Sequence, residues 1–214
     1  MDTIGILGAG AMGSGIAQVA AAAGHPVIIC DNNTLALSRA GKNIQASLKA
    51  LVDKGKMTDA DAYSLFSRIK FTDHMSDYRH CFMVIEAIVE DIEEKRVAFK
   101  SIEATVDPGT LIASNTSSLS ISAMGAHLKH PERTLGVHFF NPAQVMRLVE
   151  EDTAYRNALR GIGTRLMDVG GRLSELGTDL SGLGKYAIEQ ANQRVGVPQA
   201  AREEAVAADQ PQQE

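Results

Sequence analysis

The sequence predicts an α/β fold, a doubly wound and mainly parallel sheet, followed by a C-terminal α-helical extension. Short apolar runs of strand length alternate with longer stretches of helical spacing up to about residue 150. Strands separated by helices form parallel sheets covered on both faces. Beyond residue 150 the alternation gives way to a continuous heptad pattern. The length of 214 residues suits one domain plus an extension, or two small domains. A content of 44% hydrophobic and 22% charged residues is that of an ordinary globular chain.

Thr3 to Leu7 reads as a short buried strand, followed by glycines at 8, 10, 13 and 15. Helical spacing carries Ile16, Val19, Ala20 and Ala23 to Gly24, a helix C-terminal signal. Val27 to Cys30 is a second strand, ended by Asp31. Residues 34 to 70 read as helical, with Leu37, Ile44, Leu48 and Leu51 on one face, a turn near Gly55, then Tyr63, Leu65 and Phe66. Phe82 to Ile85 is strand-like, Asp91 to Val106 helical, and Leu111–Ala113 and Leu135–Phe139 complete the strand set.

From Tyr155 the apolar residues step by four and three. Leu159, Leu166, Leu173 and Leu180 occupy heptad position a, and Ile162, Val169, Leu176 and Leu183 position d. Gly163, Gly170, Gly177 and Gly184 recur at every e position, where a second helix can approach closely. The expected organisation is a nucleotide-binding domain over 1–152, a glycine-rich heptad segment over 153–197 and a disordered tail over 198–214. Homo-oligomerisation through residues 155–197 is expected; the alternative is that the segment packs on its own sheet or remains partly unfolded.

The net charge of −5, without a long basic block, gives no footprint for nucleic acid. Cys30 and Cys81 make neither a metal spacing nor a disulfide framework, which suits a reducing compartment. Residues 4 to 29 lack Lys, Arg, Asp and Glu, yet Asp2 sits where a signal peptide is basic, and five glycines fall by position 15. His25-Pro26 then breaks the run. Neither a signal peptide nor a membrane span is expected, and the location is read as cytoplasmic. His127 and His130 lie three apart with no carboxylate or cysteine to complete a set, so no metal is expected.

GAGAMG at 8–13 fits G-x-G-x-x-G between a strand and a helix, the Rossmann-type fingerprint. Gly8 allows the tight turn, Gly10 lets the backbone approach a pyrophosphate, and Gly13 lets helix and strand pack closely. The helix N-terminus, at Ala11 and Met12, offers unpaired N–H groups and a positive dipole end to phosphates. Asp31 follows Gly13 by 18 residues, where a carboxylate can accept the hydroxyls of a ribose. It would repel a 2′-phosphate, so NAD is favoured over NADP. Asp31 could instead be a turn residue ahead of Asn32 and Asn33.

Five ordered stretches, GAGAMGSGIA at 8–17, VIEAIVED at 84–91, Lys95, SNTSSLSI at 114–121 and GVHFFNP…LVE at 136–150, resemble the NAD-binding domain of the 3-hydroxyacyl-CoA dehydrogenases. The resemblance covers about residues 1–150. It implies NAD-dependent interconversion of (3S)-hydroxyacyl-CoA and 3-ketoacyl-CoA, a step of β-oxidation. His138 then corresponds to the general base, Glu150 to the carboxylate that orients it, and Ser117 to a hydrogen-bonding partner of the substrate hydroxyl that is also a cofactor contact. Asn141 corresponds to a residue near the nicotinamide, Glu90 and Lys95 to residues lining the dinucleotide cleft, and Ser47 and Lys54 to contacts of the CoA moiety. An imidazole titrates near neutrality, and a carboxylate partner selects its tautomer, so these residue types suit the task. From the residues alone, Ser117 could equally cap a helix, and Lys54 could be a solvated helix end.

The family continues with a separate helical domain that covers the acyl-CoA. The K-x-P…D-x-P-G-F segment that opens it does not follow Glu150 in this sequence. A catalytically weak or inactive NAD- and CoA-binding module with a self-associating helix is therefore the alternative function.

Overall fold

The computed structural model describes residues 2–143 and the backbone of a strand at 149–151. The strands are β1 (Ile4–Leu7), β2 (Val27–Cys30), β3 (Ile69–Thr72), β4 (Met83–Glu86), β5 (Leu111–Ser114), β6 (Thr134–Phe139) and β7 (Val149–Glu151). They form one sheet in the order β3-β2-β1-β4-β5-β6-β7. The first six run parallel and β7 is antiparallel to β6. All four residues of β1, β4 and β5 are buried, as central strands covered on both faces must be. The chain order reverses between β1 and β4, and in such sheets ligands bind beyond the strand C-termini at that crevice.

Each helix starts where a side chain can take up its free N–H groups. α2 (Thr34–Asp53) is capped by Asn33, whose Oδ1 accepts from Leu35 and Ala36 at 3.0 and 3.2 Å. α3 (Asp59–Ser67), α4 (Ile92–Thr105) and α5 (Ile121–Gly125) are capped by Thr58, Asp91 and Ser120. α1 (Ala11–Ala22) is the exception: its N-cap is Gly10, which has no side chain to offer. Its far end closes as the sequence predicts, with Gly24 at φ +91°.

Two apolar clusters flank the sheet. Ile16, Ala17 and Ala20 of α1 and Ala40, Ile44 and Leu48 of α2 pack with Ile4, Ile6 and Ile29 on one side. Phe99 and Ile102 of α4 and Met124 of α5 pack with Val84 and Ile112 on the other. No helix among the described residues is long and apolar enough to cross a membrane.

The region read as helical over 34–70 is in fact α2, α3 and the strand β3. The helical reading ran two residues into β3, because Ile69 continues the apolar spacing of Leu65 and Phe66. β3 is an edge strand of four residues with an exposed lysine, too short to show a period of its own. The strand β7 is also additional to the predicted set. The heptad segment 153–197, the tail 198–214 and the proposed association through 155–197 lie outside the described residues.

Candidate functional site

The glycines of the β1–α1 turn are each required for a different reason. Gly8 has φ +106°, and a Cβ there would stand 2.8 Å from the Ala87 carbonyl oxygen. A Cβ on Gly13 would stand 1.9 Å from the carbonyl oxygen of Gly8, so any side chain would force the helix off the strand. A Cβ on Gly10 would meet nothing within 4 Å. The first two keep the protein's own backbone compact, whereas Gly10 faces open space at an uncapped helix N-terminus. This arrangement fits a pyrophosphate, which needs free N–H donors and close backbone approach.

Asp31 closes the other side of the turn. Its Oδ2 accepts the Ala9 N–H at 2.8 Å and its Oδ1 accepts the Asn33 N–H at 2.8 Å. The turn role and the cofactor role are thus compatible: each carboxylate oxygen keeps a lone pair for a ribose hydroxyl. A cleft of about 600 Å³ opens between Gly8, Gly10, Asp31 and the apolar side chains of Ile88, Val89 and Val97. Cys30 lies in its wall; burial pushes its thiol up to about 11, so it stays protonated and inert.

Strand register brings the remaining candidates together. Glu86 and Ser114 end β4 and β5 as direct partners, and Ser114 pairs in turn with Gly136 within β6. Ser117 follows three residues after Ser114, and His138 lies two residues beyond Gly136, still in β6. Asn115 ties these segments, its Oδ1 accepting the Phe139 N–H at 2.8 Å. His138 is half-buried, and its ring centroid lies 4.7 Å from that of Phe140 at an interplanar angle of 49°. Glu150 is its Cα partner across the β6–β7 ladder. Asn141 is exposed at the end of the same segment.

Ser117 is exposed and caps no helix, since Ser120 caps α5. Its N–H donates to Glu90 Oε1 at 3.2 Å. The Thr116 hydroxyl donates to the same oxygen at 2.5 Å. Partial burial pushes the Glu90 carboxyl up, but the Thr116 hydroxyl, the Lys95 charge and the Ser117 N–H together hold it below the usual carboxylate range. Lys95 and Glu86 form a buried ion pair at 2.8 Å. Removing one partner of such a pair costs about 3–5 kcal/mol because the other charge is stranded.

Ser47 and Lys54 stand apart, on α2. The Ser47 hydroxyl accepts from Gln18 Nε2 at 3.3 Å, and Lys54 is the exposed C-cap residue. Sequence reasoning passed over Glu86, Ser114, Asn115 and Thr116. A carboxylate ending the apolar run MVIE was the available signal, because a buried charge demands a partner. Among the described residues, no group of three His, Cys, Asp or Glu side chains could hold a metal ion.

Strand order, glycine turn and acidic β2 terminus define a dinucleotide-binding domain of the α/β class. The chain belongs to the 3-hydroxyacyl-CoA dehydrogenase family, whose NAD binding domain matches residues 3–158, and NAD is the cofactor this site is built for. It is 42% identical over 154 residues to a probable 3-hydroxybutyryl-CoA dehydrogenase of Deinococcus radiodurans, covering 72% of this chain and 55% of that one. It is 41% identical over 150 residues to the 3-hydroxyadipyl-CoA dehydrogenase of Escherichia coli K12, covering 70% of this chain and 32% of the other. The crystal structure of (S)-3-hydroxybutyryl-CoA dehydrogenase from Ralstonia eutropha superposes with a TM-score of 0.73 at 36% identity, covering 79% of this chain and 61% of that one. The chain thus spans 32% and 55% of the length of these two curated relatives.

Proposed function

We propose that this protein interconverts (3S)-hydroxyacyl-CoA and 3-ketoacyl-CoA, with His138 as general base and Glu150 as its orienting carboxylate. The observation that carries the reading is the β6–β7 register, in which His138 and Glu150 are direct partners. Direct antiparallel partners are nearest cross-strand neighbours, so a twelve-residue separation in sequence is no obstacle to pairing. The chemistry NAD supplies when bound is acceptance of hydride from C3. In the oxidative direction His138 removes the proton of the 3-hydroxyl, the Ser117 hydroxyl hydrogen-bonds that oxygen, and Glu150 stabilises the imidazolium. Glu90 and Asn141 flank the dinucleotide, and Ser47 and Lys54 meet the CoA moiety, Lys54 as a point charge on a phosphate.

The test is NADH consumption by the whole chain with acetoacetyl-CoA, and NADH formation with 3-hydroxybutyryl-CoA. Stereospecific turnover of the (3S) isomer is expected. Tight NADH binding without turnover in either direction selects the alternative, an NAD- and CoA-binding module that does no chemistry.

Self-association through residues 155–197 is part of the same proposal, motivated by glycine at every e position of four heptads. Sedimentation velocity is expected to give an oligomer for the whole chain and a monomer once residues 155–214 are removed. A monomer in both cases ends that part of the proposal.

A further inference from the structure

Lys95, which the resemblance places along the dinucleotide, is 1% exposed, and its partner Glu86 is 0% exposed. An ammonium has three N–H donors. Three carboxylate oxygens surround this one: both oxygens of Glu86 at 2.8 Å, and Glu90 Oε2 at 3.4 Å. Glu86 takes two of the donors in hydrogen bonds, the Glu90 carboxylate lies within ion-pair range of the ammonium, and the buried amine presents almost no surface to a phosphate or a ribose. The contact to Glu90 differs in kind, because the Glu90 side chain is 42% exposed.

From this buried pair a closed circuit runs to the loop after β5. Ser114 donates its hydroxyl to Glu86 Oε1, and its own oxygen accepts the Thr116 N–H at 3.1 Å. Thr116 donates its hydroxyl to Glu90 Oε1, the oxygen that also accepts the Ser117 N–H. Glu90 returns the circuit to Lys95. Two carboxylates from one segment are thus held by one charge, and the backbone bearing Ser117 hangs from both.

We propose that Lys95 is a positioning residue: from beneath the site it locks Glu86 and Glu90 into a bracket that fixes the 116–118 turn and sets the Ser117 hydroxyl against the substrate. The inference rests on the reading of Ser117 as a substrate contact. A misplacement of about 1 Å is enough to cost roughly 10²-fold in rate. A direct cofactor contact by Lys95 would express itself in NADH affinity, whereas a positioning role expresses itself in kcat.

The experiment uses the whole chain with Lys95→Met, Thr116→Val, Ser117→Ala and the two doubles with Ser117→Ala. NADH affinity is read by fluorescence titration, kcat and KM with acetoacetyl-CoA, and amide hydrogen exchange at residues 117–119. Lys95→Met and Thr116→Val are expected to lower kcat by roughly 10–100-fold, with NADH affinity falling no more than about fivefold through Glu90, a difference of about 1 kcal/mol. Each double is expected to be no worse than Ser117→Ala alone, since groups acting through one another do not add. Additive losses, or NADH affinity falling in step with kcat, overturn the proposal. Thr116→Val decides the matter if Lys95→Met does not fold, because it removes one hydroxyl and strands no charge. If the parent chain binds NADH without turnover, the proposed function has failed, and exchange at 117–119 becomes the deciding measurement. Exchange faster by about tenfold or more, equal to a 1.4 kcal/mol loss of local protection, supports the bracket; unchanged exchange rejects it.

Discussion

Replacing His138 by alanine is expected to lower kcat with acetoacetyl-CoA by about 10²–10⁴-fold, the usual contribution of a positioned general acid or base. NADH affinity and thermal stability are expected to change little. The physical grounds lie in how β6 is built. Its residues Thr134 to Val137 and Phe139 are buried, while His138 alone is half-buried. The strand is therefore anchored on either side of the histidine by residues the substitution does not touch. The contact with the Phe140 ring is among those lost. Because the glycine turn and Asp31 lie at β1 and β2, removal of the imidazole leaves the dinucleotide-binding elements intact. A rate loss without a binding loss is thus the expected signature, measured by steady-state kinetics beside an NADH titration. A loss below about 10²-fold, the lower edge of what such a group supplies, moves the base elsewhere. A parallel loss of NADH affinity makes His138 a cofactor contact instead.

The parts of this site that were legible in the sequence are those where the backbone leaves no choice of residue. Gly8 and Gly13 are fixed by distances to a carbonyl oxygen that no side chain can share, so they leave a pattern readable without coordinates. Asp31 stood out by its place at the end of the second strand, 18 residues after Gly13, and the structure adds that it accepts the Ala9 N–H. β3 was not legible because it inherits its apolar spacing from α3 and occupies an edge, where two of its four residues suffice to pack. The bracket of Glu86, Lys95 and Ser114 was hidden differently. Its members come from β4, α4 and β5, and only the parallel register that sets Glu86 beside Ser114 makes them neighbours. A carboxylate ending a strand and a lysine on a helix each look ordinary alone. Sequence spacing reports interactions along one element well, and interactions between elements only once the sheet order is known.

Alanine at Gly10 and alanine at Gly13 are expected to fail in opposite ways, although both fall in the same six-residue motif. At Gly13 the new methyl would sit 1.9 Å from the Gly8 carbonyl oxygen. Backbone cannot swing aside as a side chain can, so the β1–α1 turn must open. Forced overpacking of this kind costs about 1–3 kcal/mol, and each kcal/mol lowers Tm by about 2–4 °C in a chain of this size. The variant is therefore expected to melt several degrees lower and to bind NADH weakly, because the turn that holds the phosphates is itself distorted. At Gly10 the methyl meets nothing within 4 Å, and the backbone there, at φ −70°, is available to any residue. Gly10→Ala is expected to melt like the parent. Its methyl nonetheless points into the space a pyrophosphate would fill, and displacing a ligand by that much costs about 1–3 kcal/mol, roughly 5–150-fold in Kd. Calorimetry and NADH titration of the two variants separate the effects. If Gly10→Ala binds NADH as tightly as the parent, the dinucleotide does not cross the turn at Gly10, and the free N–H groups of α1 serve some other end. Lost affinity at unchanged Tm means that the open space above Gly10 is kept for the ligand and not for the fold.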